Sequence, residues 1–157
     1  MWRTGFSRRL ISIPINPTCR KSAMDDYQDA SNRHLHDAES LFAQIPKRLA
    51  NASHLLGLSA ECSLKAIARK FDPSAKFSGS KGHLPGLFSE LQNVSPKIGS
   101  NPALIRHIIA IKPQFVNWNV NQRYASQFTF VQGTVADEQT AANEAHLLMT
   151  NCLKGLI

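Results

Sequence analysis

The residues able to do chemistry fall into four groups along the 157-residue chain. Glu61 and Lys65 stand four apart in the order that makes a favourable helical ion pair. They interrupt the mostly apolar stretch from His54 to Ile67. An ordinary solvated pair is one reading; a pair turned toward a partner helix or a cleft is the other. His83 follows a Gly/Ser/Lys-rich segment and precedes an apolar run, as a capping, packing or ligand-facing imidazole would. Arg123-Tyr124, with Trp118 upstream, offers a guanidinium fork beside aromatic faces, the combination that suits a phosphate and a stacked base. The competing reading is a structural Arg that ties a loop to a helix C-terminus. Ser78-Gly-Ser-Lys-Gly82 has the composition of a phosphate cradle but neither the P-loop spacing nor a preceding strand. Cys19, Cys62 and Cys152 fit no metal spacing, and they read as reduced, small hydrophobes. No metal or cofactor is expected.

Helices must position these groups. Tyr27, Ala30, His34, Ala38, Leu41 and Phe42 recur at three-to-four spacing and predict a first helix over 25–44, with Asp25 and Asp26 in its first turn. Leu49, Ala52, Leu56, Ala60, Leu64, Ile67 and Phe71 make one stripe on a second helix over 47–71, long enough to be a bundle spine. Asp72-Pro73 ends it. A short helix over 84–91 carries Leu84, Leu87, Phe88 and Leu91, with Pro85 in its first turn. Asn101-Pro102 has the form of an N-cap followed by a first-turn proline, opening a helix that Pro113 ends or kinks. Residues 118–134 read as an irregular connection, with strand-like Phe128, Phe130 and Val131 and one helical turn around 121–125. The last helix is expected near Thr134, with Thr134 and Asp137 as a capping box and Ala141, Ala145, Leu148, Cys152 and Leu156 buried. The fold class is therefore all-α, a bundle of about five helices.

The net charge of +7 is unevenly placed. Residues 1–23 hold Arg3, Arg8, Arg9, Arg20 and Lys21 and no acid, leaving 13 basic residues against all 11 acids in the remainder. The basic character thus belongs mainly to an extension outside the fold, and the body over 24–157 is nearly balanced. The extension reads either as a transit-like peptide, which would imply a mitochondrial location, or as a segment upstream of a true start at Met24, which goes with a cytoplasmic one. No apolar run approaches the roughly 18 residues of a membrane span, so no membrane partner is expected.

Taken in order, Ala60-Glu61-Cys62-Ser63-Leu64-Lys65-Ala66, Gly82-His83-Leu84 with Leu87, Trp118 before Arg123-Tyr124, and an Ala-rich closing helix resemble the HEPN family, more narrowly its stand-alone bacterial members. Asn32 to Glu39 on the first helix adds to the likeness, which covers about residues 25–157. The resemblance implies a helical bundle, often a homodimer, that binds RNA or a nucleotide. It also implies a partner nucleotidyltransferase or antitoxin in toxin–antitoxin pairs. Catalytic members carry R-x(4–6)-H, in which Arg stabilises phosphate charge and His relays a proton. Here Arg123 has no His at that distance. The literal match is Arg48 with His54, on an earlier helix than the family's site. The expectation is a non-catalytic binding module with Lys65, His83, Arg123 and Tyr124 on its functional face. The alternatives are a metal-independent ribonuclease built on Arg48 and His54, or on Arg123 and His83, and a structural dimerisation module.

Overall fold

The computed structural model describes residues 26–94 and 96–157. Among them the chain is all-α, with six α-helices and no strand: α1 Tyr27–Ala43, α2 Leu49–Phe71, α3 Gly86–Val94, α4 Pro96–Gly99, α5 Pro102–Ile111 and α6 Gln132–Leu153. The expected number was about five; the added one is the four-residue α4. Four 3-10 turns, Ser80–Gly82, Lys112–Phe115, Val120–Tyr124 and Gln127–Thr129, fill the connections. The basic extension, Asp25 and Cys19 lie outside the described residues.

The spine is α2, about 35 Å long at 1.5 Å per residue. Ala52, Leu56, Ala60, Leu64 and Ile67 are all fully enclosed, because α1 and α6 pack against α2 and the later turns close over its first half. The buried line of α1 differs from the expected stripe. Ser31, Leu35 and Ala38 are buried, whereas Tyr27, His34, Leu41 and Phe42 are half-buried. Hydroxyls explain the shift. The Ser31 hydroxyl hydrogen-bonds with that of Ser63 at 2.7 Å and with His146 Nδ1 at 3.1 Å. Ser59 donates to the Ser31 carbonyl at 2.9 Å. Small polar side chains satisfied across α1, α2 and α6 pack closely at no unpaired-group cost.

Asn101 caps α5 as expected, accepting from the Leu104 N–H at 3.1 Å, with Pro102 in the first turn. Three boundaries fall elsewhere. Asp26 lies just outside α1 and caps it, accepting from the Asp29 N–H at 2.9 Å. Pro85 precedes α3 rather than sitting in its first turn. α6 starts two residues before Thr134, so Thr134 is already helical and the expected Thr134–Asp137 capping box does not form; the N-cap is Val131, with no side-chain cap. Ala141, Ala145, Leu148 and Cys152 are buried on α6 as expected, but Leu156 lies past the helix end and is 70% exposed. Phe128, Phe130 and Val131 form a turn and the segment leading into α6 rather than a strand. No helix among the described residues is long and apolar enough to cross a membrane.

Candidate functional site

The residues singled out by chemistry separate into two clusters. The first is centred on Glu61, which is 3% exposed. Its Oε1 accepts from Lys65 Nζ at 2.6 Å, and both of its oxygens lie within 3.1 Å of His83 Nδ1. Oε2 also accepts from the Leu84 N–H at 3.2 Å. The Lys65 ammonium sits 5.7 Å from the Tyr27 ring centre and 5.6 Å from that of Phe77, and these two rings pack edge to face. Lys65 therefore does not lie on an open functional face. It is buried, and its charge is matched by Glu61 and by aromatic faces. The cluster fastens the 72–85 connection and α1 to α2. His83 alone among its polar members reaches outward: its side chain is 44% exposed and borders a hollow of ≈ 420 Å³ shared with Asn119, Val120 and Asn121.

The second cluster lies where the first half of α2 meets the connection before α6. Trp118 is 2% exposed and donates its indole N–H to the Ser53 carbonyl at 3.1 Å. It is thus an anchor, buried beyond the reach of a stacking base. The indole lies directly on Gly57: a Cβ there would come within 2.0 Å of it. The His54 ring lies nearly parallel to the indole, at 5.8 Å and 11°. His54 Nδ1 is enclosed without a partner. Burial first, then the Arg123 and His34 charges, lower its pKa, so its imidazole is neutral at neutral pH.

Anchored by Trp118, the Val120–Tyr124 turn presents Arg123 and Tyr124 to solvent. The guanidinium stands 4.7 Å over the Tyr124 ring, and Tyr124 is 77% exposed. Phe128, in the following Gln127–Thr129 turn, is 97% exposed. Gln127 docks the same segment on the start of α2: its Oε1 accepts from the Ala50 N–H at 3.1 Å, and its Nε2 donates to the Lys47 carbonyl at 3.3 Å. The helix has no side-chain cap of its own, since Arg48 occupies that position. Arg48 is exposed. Six residues along a helix turn through about 600°, so Arg48 and His54 point about 120° apart and do not form a facing pair.

One compositional signal, outside any motif, runs through the segments that meet here. No Asp or Glu occurs between Glu39 and Glu61, nor between Glu90 and Asp137. The fold brings parts of these two acid-free stretches together around Arg48, Arg123, Tyr124 and Phe128. Arg123 and Tyr124 thus share one surface, while Lys65 and His83 belong to the Glu61 cluster. Burial, then Glu61, pushes the Cys62 thiol up to about 11, and burial also raises Cys152. No group of His, Cys, Asp and Glu among the described residues could hold a metal ion. No protein-family model, no curated protein and no solved structure matches the chain.

Proposed function

We propose that this chain is a HEPN-like helical module that binds single-stranded RNA, without cleaving it, through the end of its bundle that carries Arg123 and Tyr124. The observation that carries the reading is the Arg123–Tyr124 pair, stacked and solvent-facing on a surface without neighbouring carboxylates in sequence. A guanidinium donates a fixed fork of hydrogen bonds to phosphate. Exposed rings such as Tyr124 and Phe128 give unpaired bases a face to stack on. Arg48 adds a second exposed cation beside the docked turn. Cleavage needs a general acid and base within reach of the same phosphate; His54 packs against Trp118 and diverges from Arg48.

The test is fluorescence anisotropy with end-labelled single-stranded RNA, alongside gels that report cleavage. Arg123→Ala should weaken binding by about 1–3 kcal/mol, the scale of a charge-assisted contact, with the melting temperature unchanged. Binding should also weaken steeply as salt rises. Arg123→Ala lowering the melting temperature while leaving affinity intact would favour the structural role. RNA degradation by the wild type that His54→Ala abolishes would make the protein a ribonuclease.

A further inference from the structure

The hydrogen bonds around Glu61 decide which nitrogen of His83 carries the ring proton. Glu61 Oε1 accepts from the Lys65 ammonium at 2.6 Å, and Oε2 accepts from the Leu84 N–H at 3.2 Å. The two oxygens also stand 3.0 and 3.1 Å from His83 Nδ1. A carboxylate that already receives an ammonium and an amide is an acceptor toward its third partner, so Nδ1 is the donor. The lone pair of the neutral ring therefore sits on Nε2. Among the described residues the side-chain hydrogen bonds of His83 all run through Nδ1, and the half-buried ring borders the hollow of ≈ 420 Å³. Lys81, Asn119 and Asn121 line that hollow with it, and no carboxylate does. Asn119 Oδ1 accepts from the Asn121 N–H at 2.7 Å, which leaves its amide N–H groups as donors. The Lys81 ammonium pairs with Glu90 at 3.1 Å. No further His, Cys, Asp or Glu among the described residues groups with His83 to hold a metal ion.

We propose that His83 Nε2 is a phosphoryl-acceptor site, a nucleophile that takes a phosphoryl group from a small phosphoramidate donor. Imidazole serves as a nucleophile in a covalent step when a third group orients it and matches the charge it acquires. Glu61 does both from a position that is 3% exposed. In the step, the Nε2 lone pair forms a new N–P bond while the donor's own N–P bond breaks. The donor nitrogen leaves as the free amine, carrying that bonding pair. Nδ1 keeps its proton throughout, and the positive charge the ring gains lies against the Glu61 carboxylate. The transferred group brings negative charge and strong acceptor oxygens. It meets amide donors from Asn119 and Asn121 and the cation of Lys81, with no like charge in the wall of the hollow. His36 and His107 are more exposed than His83, but among the described residues neither ring is hydrogen-bonded to a carboxylate. This site does not depend on the RNA-binding reading.

The test is incubation of the full chain with potassium phosphoramidate at neutral pH. Peptide mass spectrometry reads the rate at each of the six histidines, and phosphorus NMR tells the Nε2 product from the Nδ1 product. His83 should be phosphorylated at least tenfold faster than His36 and His107, the reverse of the order that exposure alone would give, and on Nε2. In the urea-unfolded chain that preference should vanish. Glu61→Gln should slow His83 to the rate of His36. If this variant does not fold, by circular dichroism, the wild-type ranking and its loss in urea decide the matter alone. His83 reacting no faster than His36 and His107, reaction at Nδ1, or a preference that survives in urea or in folded Glu61→Gln overturns the assignment.

Discussion

Glu138→Gln replaces a buried carboxyl of α6, whose Oε2 is enclosed without a hydrogen-bond partner, with a neutral amide of the same shape, and the structure sets the size of the effect. Burial holds the folded carboxyl at about 7, against an ordinary 4.5. Between those values the folded chain binds more protons than the unfolded one, so the carboxyl's contribution is fully present below 4.5 and is lost as pH rises through 7. Each pH unit inside that window is worth about 1.4 kcal/mol. Integrated from pH 5 to pH 8, the wild type should lose about 2.5 kcal/mol relative to Glu138→Gln. His34, His54 and His146 act in the opposite sense. Burial lowers all three, so the unfolded chain takes up their protons first and stability rises with pH toward 6.5. They are present in both proteins and cancel in the difference. Urea unfolding at pH 5, 6, 7 and 8, followed by circular dichroism, gives the two stability curves. A difference that stays flat within about 0.5 kcal/mol, the scale of ordinary surface effects, would mean that the carboxyl has a donor the structure lacks, and the reasoning would fail.

Three further outcomes follow from the packing. Leu64→Ala removes a fully enclosed side chain from the spine and should cost about 2–5 kcal/mol by chemical denaturation; a cost under about 0.5 kcal/mol would put Leu64 on the surface. Gly57→Ala forces the Trp118 indole off α2, because the new Cβ would stand 2.0 Å from it. It should cost about 1–3 kcal/mol through over-packing and red-shift indole emission, and an unchanged melting curve would contradict the contact. Cys62, held at about 11, should be alkylated at pH 8 about a hundredfold more slowly than in the urea-unfolded chain, read by peptide mass mapping; equal rates would show an open thiolate.

Periodicity made the helices legible. The α2 stripe from Ala52 to Ile67 and the Asn101-Pro102 start of α5 follow from local spacing alone, and the structure places them as expected. What escaped was set by groups distant in sequence. Ser31 looks like a surface residue until Ser59, Ser63 and His146 are brought to it. Lys65 looks like a solvent cation until Tyr27 and Phe77 close over it. Trp118 reads as a stacking platform because nothing in its own segment shows that Gly57 leaves room for it. Glu138, by contrast, is legible from local spacing. It stands three residues before Ala141 and seven before Ala145, on the same buried line of α6, so the stripe itself pointed to an enclosed carboxylate. Asp137 has the spacing of a capping residue after Thr134, a role it does not take because α6 begins at Gln132.

The first turn of α2 depends on a residue nearly eighty positions away. Because Gln127 supplies the acceptor for the Ala50 N–H, that amide can exchange with solvent deuterium whenever the 125–129 segment lifts off, without the helix core opening. Exchange at Ala50 therefore reports the docking equilibrium of the very turn that displays Arg123, Tyr124 and Phe128. Anything that grips that surface and holds the turn down slows the Ala50 amide, whereas the amides around Leu64 keep the slow exchange of the global unfolding reaction. A single helix thus contains both the gauge of local occupancy and its own internal reference.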